Sequence, residues 1–238
     1  MSQHTALSSQ DHRELRVATS RRAELGDGEM VCVTFPDEFR DVQAHYPIVF
    51  QKDPSSGRFN ALALMGFEQG ENLFLTDRGW DAAYIPLGMD IRPFLIGRGA
   101  SAESGPSVHI DMASPRVGDA NGVRLFGENG QPTDFLDVVT HKLGRVHAGF
   151  PKTDAFMQSL TDFELLEAFS MDIQLNDGSQ HKLAGFHTIH EERLAALPAP
   201  DVALLHERGH LMPIFMVIAS LAHFKDLIAR RNARLGHV

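Results

Sequence analysis

Residues 44–98 read AHYPIVFQKDPSSGRFNALALMGFEQGENLFLTDRGWDAAYIPLGMDIRPFLIGR. The stretch holds the chain's only Trp, Trp80, and both of its Tyr, Tyr46 and Tyr84. Residues 46–51 are apolar and β-branched, the composition of a strand. Pro54-Ser55-Ser56-Gly57 is a turn by residue chemistry, because Pro presets φ and Gly supplies positive φ. Residues 58–66 return as the partner strand, so 46–66 is expected to be a hairpin. Residues 73–75 read as another short strand and Asp77-Arg78-Gly79 as a second turn. Residues 80–85 and 93–96 are extended pieces, and Pro86, Gly88 and Pro93 keep them from being central strands. The stretch is thus the β-rich core on which later elements pack.

Upstream, residues 30–35 (MVCVTF) read as a first strand. It carries the only cysteine, Cys32, so no intrachain disulfide can form. An apolar setting makes that thiol inert, since reactivity needs an electropositive, partly exposed site. Residues 1–24 are polar without helical or strand periodicity and read as a flexible arm, leaving 25–238 as the folded domain. The same segment has no apolar h-region, which points to a cytoplasmic protein. Downstream, residues 108–112 and 123–126 read as strands. Thr133 and Asp134 then offer a helix start, and Phe135, Val138, Val139, Leu143 and Val146 repeat at helical spacing. Gly149-Phe150-Pro151 is expected to end that helix, and Thr153 to begin a second. Residues 169–175 and 181–186 flank Asn176-Asp177-Gly178, the clearest hairpin signal in the chain. Short helices near 191–197 and 201–208 and a last one over about 213–235 complete the pattern. The expected class is α+β: a β-rich N-terminal half with hairpins, then helices plus one hairpin, in a single domain.

Hydrophobic residues make up 43% and charged residues 22% of the 238 residues, the mix of a soluble globular chain. The net charge of −9 argues against nucleic acid, whose phosphates need a basic face, and against anionic lipid. The most apolar run, residues 211–222, is about a dozen residues long and contains Pro213, whereas a bilayer span needs roughly 20. The run reads as a buried helix, no membrane span is expected, and the partner expected is a protein or a small ligand. The oligomeric state is not written in the sequence.

His206-Glu207-Arg208-Gly209-His210 matches HExxH, in which two His one helical turn apart hold zinc and the Glu acts as base. Gly209 weakens the helix where the second ligand needs rigidity, and no third ligand follows in a usual place: downstream there are only His223, Asp226 and His237, in apolar or basic surroundings. His187 and His190 form a second cluster, beside Glu191 at the start of a helix. On these four residues rests an alternative reading, a zinc- or iron-dependent enzyme with a His-rich site in the C-terminal half. The first reading needs no cofactor. His109 and Asp111 share one side of a strand, a weak metal-pair pattern. No G-x-S-x-G elbow occurs, and Ser101, Ser104 and Ser107 sit in a Gly/Ser-rich loop. Tyr46, Trp80 and Tyr84 are the aromatic candidates for a ligand cleft, although a packed core explains aromatics as well.

Several stretches together resemble the bacterial SapC family: AHYPIVF (44–50), GENLF (70–74), WDAAYIP (80–86), FELLEAFSMDIQLNDGSQHKLAGFHTIHEERLAALP (163–198) and LLHERGHLMPIFMVIASLAHFKDLIARR (204–231). The resemblance runs from about residue 26 to 234. It brings no catalytic motif, so no active-site residue is carried over. What it implies is an accessory or binding protein associated with a bacterial surface layer or envelope, and hence a cell-surface association.

Overall fold

A computed structural model describes residues 3–98 and 105–236. The strands are β1 (His4–Ala6), β2 (Arg16–Val17), β3 (Val31–Thr34), β4 (Ile48–Lys52), β5 (Phe59–Leu64), β6 (Leu75–Thr76), β7 (Gly79–Trp80), β8 (Phe94–Arg98), β9 (Pro106–Asp111), β10 (Val123–Arg124), β11 (Leu166–Gln174) and β12 (Gln180–Ile189). The α-helices are α1 (Phe39–Val42), α2 (Leu87–Asp90), α3 (Asp134–Asp162), α4 (Glu191–Ala195), α5 (Ala199–Glu207), α6 (Leu211–Ser220) and α7 (Phe224–Leu235). Every strand pairing is antiparallel, and the helices cluster in the C-terminal half. The class is α+β, as the sequence indicates.

The chain divides into two compact units, 1–28 with 75–80 and 87–148, and 29–74 with 81–86 and 149–238. Neither is a continuous stretch of sequence. In the first, β1, β9 and β8 form one sheet and β2 pairs with β10. Here the expectation of a flexible arm over residues 1–24 needs correction. His4, Thr5 and Ala6 pair with Asp111, Ile110 and His109, and Val17 and Ala18 are only 1% and 4% exposed. Strands of two or three residues are too short to show a period of two, and their partners lie about a hundred residues away in sequence.

The same unit contains a buried ion-pair network. Arg116 donates to an Asp27 carboxylate oxygen at 2.5 Å and to the carbonyls of Ala18 and Ser20 at 3.1 and 2.9 Å. Asp27 also accepts the Arg22 backbone N–H at 2.9 Å. Arg21 donates to the Met89 carbonyl and to Asp90, and Lys142 closes the chain on Asp90.

The second unit is built on a five-stranded sheet in the order β11-β12-β4-β5-β3. Both hairpins expected from the sequence are present. In the first, Asp53 accepts the backbone N–H groups of Ser55 and Ser56 at 2.7 and 3.0 Å, and Gly57 takes φ +71°. In the second, Asp177 does the same for Ser179 at 2.9 Å, and Gly178 takes φ +84°. Ile48, Val49 and Phe50 are all fully buried. That is why the central strand reads as a continuous apolar run rather than an alternating one.

α3 overturns a further expectation. It runs unbroken through Gly149 and Pro151 for 29 residues. Pro removes one backbone hydrogen bond and normally kinks a helix. Burial of Phe156, Met157 and Leu160 beyond it offsets that cost. The expected last helix is instead α6 and α7 joined by a 3-10 turn, Leu221–His223.

Candidate functional site

The corner between α5 and α6 contains the HExxH match, and its geometry is not that of a metal helix. α5 ends at Glu207, and Gly209 turns the chain with φ +74°. His206 is therefore the exposed last turn of one helix, and His210 is the N-cap of the next. Gly209 carries out the helix-ending role that its chemistry suggests.

His210 is engaged from two sides. Its Nδ1 is hydrogen-bonded to the Ser159 hydroxyl at 2.9 Å, and its ring meets Phe156 edge-on at 5.5 Å. Arg208 donates to the same hydroxyl oxygen at 3.1 Å. With one proton and two lone pairs, the Ser159 hydroxyl accepts from Arg208 and serves His210 Nδ1 in either imidazole tautomer. Ser159 is 1% exposed. This Ser–His pair fastens the α5–α6 corner to α3 and presents no nucleophile to solvent.

Burial, with the nearby Arg208 charge, holds the His210 pKa below its ordinary 6.5. An unfolded chain then takes up this proton before the folded one. The linked stability is intact above about pH 6.5 and falls as pH drops through the window just below it. The advantage in Tm of the native chain over His210→Gln should shrink from pH 7.5 to pH 5. A constant difference would show that His210 titrates normally.

The other candidates are scattered. His187 lies on β12 with its ring edge-on to Phe59 at 4.9 Å. His190 caps α4, its Nδ1 accepting the Arg193 N–H at 3.4 Å. His109 bonds the Arg98 carbonyl and Ser107, and Asp111 accepts the N–H groups of Gln3 and Ala113. Among the described residues, no three His, Cys, Asp or Glu side chains gather as a metal ion requires. Ser101 and Ser104 lie outside the described residues. Cys32 is buried, 4% exposed.

The aromatic candidates differ in setting. Tyr46 is fully buried and its hydroxyl donates to the Tyr84 carbonyl at 2.5 Å. The Tyr84 hydroxyl donates to Glu38, which also accepts from Thr34 at 2.7 Å. These four residues form a polar spine inside the second unit. Trp80, half-buried, belongs to the first unit.

What the sequence reading missed is the outer face of α6. Ile214, Val217 and Ser220 point inward, and the Ile48 backbone N–H donates to the Ser220 hydroxyl at 2.8 Å. The opposite face is apolar too, with Met212 and Phe215 exposed by 57% and 54%. The Arg40 guanidinium lies 3.0 Å from the Met212 sulfur. The helical run Leu211–Leu235 reaches a mean hydropathy of 1.6 over its most apolar window, and only 28% of that window is buried. By length and composition alone this run could cross a membrane. Exposed apolar surface of this kind is characteristic of interaction sites.

The SapC family model matches residues 7–227. The chain belongs to the SapC family. No curated protein and no solved structure matches it. The family match begins at residue 7, so it includes the N-terminal strand β2 of this SapC chain, in keeping with the burial of Val17.

Proposed function

We propose that this SapC-family chain is a non-catalytic accessory protein that docks on a partner protein of the surface layer or envelope through the outer face of α6. The observation that carries the reading is the exposure of Met212 and Phe215 on a helix already packed on its other side. Met, aromatic residues and Arg are the types enriched in protein interfaces, and Arg40 lies against Met212. Met adapts to an irregular partner surface. A net charge of −9 opposes docking on anionic lipid.

A photo-crosslinking side chain at position 215 of the full chain, expressed in its own cells, tests this. A discrete adduct is expected at 215, and none with the same probe at exposed Gln158. The adduct should vanish when Met212→Glu is added. Because Met212 and Phe215 are exposed, Met212→Glu/Phe215→Glu should leave stability within about 0.5 kcal/mol per site. Absence of any adduct at 215, or equal adducts at both positions, would refute the reading.

A further inference from the structure

The β4–β5 hairpin and the C-terminal half of α3 enclose a surface groove of about 410 Å³. That is within the range of small-molecule sites, roughly 300–1,000 Å³. Its lining includes Lys52, Arg58, Phe59, Asp154, Gln158 and Thr161. Cross-strand register explains half of it. Lys52 and Phe59 face each other across the β4–β5 ladder, which sets the Lys52 ammonium 5.9 Å from the Phe59 ring centroid. His187 meets the Phe59 ring edge-on and fixes its plane.

The charges of the groove are unevenly committed. Lys52 is exposed and, among the described residues, has no hydrogen-bond or ion-pair partner. Arg58 on the hairpin pairs with Asp154 on α3 at 3.2 Å, but those side chains are 72% and 68% exposed. An ion pair so open to water is worth about 0–1 kcal/mol. A ligand anion offering bidentate contact, with Lys52 as a second cation, competes with Asp154 for the Arg58 guanidinium. Phe59 supplies a flat apolar surface for a ring to stack on.

We propose that this groove is a binding site for a small molecule with a flat ring and an anionic group. The ring stacks on Phe59, Lys52 and Arg58 hold the anion, and Asp154 occupies Arg58 until the ligand arrives. The role of Asp154 gives the proposal a signature with an unusual sign. Removing that carboxylate frees Arg58 and strengthens binding, although the substitution deletes a native ion pair.

The test is titration of the full chain with benzoate and with phenyl phosphate, followed by backbone amide shifts. Saturable shifts confined to residues 52–59 and 154–161 are expected, and the stronger probe tells carboxylate from phosphate. Lys52→Gln and Arg58→Gln should each weaken binding about tenfold, the value of a charge-assisted contact. Asp154→Asn should tighten it severalfold. Neutral benzyl alcohol should bind at least about tenfold more weakly than benzoate. All three substituted side chains are exposed, so the unperturbed amide spectrum serves as the folding control. No saturable shifts in the groove, equal binding of benzyl alcohol, or unchanged or weaker binding by Asp154→Asn would each overturn the proposal.

Discussion

Arg116→Met lowers the unfolding free energy by about 3–5 kcal/mol, the range measured when one partner of a buried ion pair is removed. For a chain of this size that corresponds to a fall in Tm of roughly 6–20 °C. The side chains of Arg116 and Asp27 are 1% and 0% exposed. The variant keeps an unbranched apolar stem and deletes the guanidinium and its charge. It leaves Asp27 without its shortest hydrogen bond, and it leaves the Ala18 and Ser20 carbonyls without their guanidinium donor. Asp27 then keeps the longer Arg21 contact at 3.5 Å, and a buried carboxylate deprived of its closest cation is the costly state. The pair itself contributes far less, because the desolvation of both ions opposes their attraction. Arg116→Met/Asp27→Asn should therefore recover part of the loss: Asn still accepts the Arg22 N–H but carries no charge. Thermal unfolding of the two variants decides it. A single variant within 1 kcal/mol of the native chain, or a double variant worse than the single, contradicts the account.

This network was invisible in the sequence, and the reason is physical. Asp27 and Arg116 are 89 residues apart, and nothing local distinguishes a buried Arg from a surface one. Where structure is decided locally, the sequence was readable. Asp53 and Asp177 bond the adjacent backbone N–H groups of the two turns, Gly57 and Gly178 supply the positive φ, and both hairpins formed as expected. Gly209, which adopts positive φ without strain, marked the end of α5 just as locally, and with it the separation of His206 from His210. Where structure depends on distant pairing, the reading failed. β1 and β2 need β9 and β10 to be strands at all.

The candidate sites follow the same division. The apolar character of α6 was plain, but hydropathy does not tell which face of a helix other elements cover, so the exposure of Met212 and Phe215 was not foreseen. The facing of Lys52 and Phe59 follows from hairpin register once the turn is known. The groove also needs α3 beside the hairpin, and that placement exists only in three dimensions.

The second large effect concerns two glycines of α3, where one substitution should act with opposite signs. Gly144→Ala places a methyl where no atom lies within 4 Å. It should stabilise the protein by about 0.5–1 kcal/mol, the ordinary gain from removing a helical glycine. Gly149→Ala carries the same propensity gain, but its Cβ would stand 2.2 Å from Cδ2 and 2.4 Å from Cε2 of Phe35. Phe35 is 1% exposed and also packs on Phe150 with ring centroids 5.8 Å apart, so its ring has little room to retreat. Forcing a methyl into a filled site costs roughly 1–3 kcal/mol. Here the overlap is with a rigid ring, so the net change should be destabilising despite the helix preference. Phe35→Leu introduced with Gly149→Ala should relieve much of the clash, because the shorter side chain vacates the space the methyl needs. The signal that Gly149 read as a helix breaker was a signal of close packing: the helix dispenses with a side chain there so that Phe35 can lie against its backbone. Chemical denaturation of the four chains separates the two meanings. If Gly149→Ala stabilised the protein as Gly144→Ala does, Phe35 would not be packed on α3.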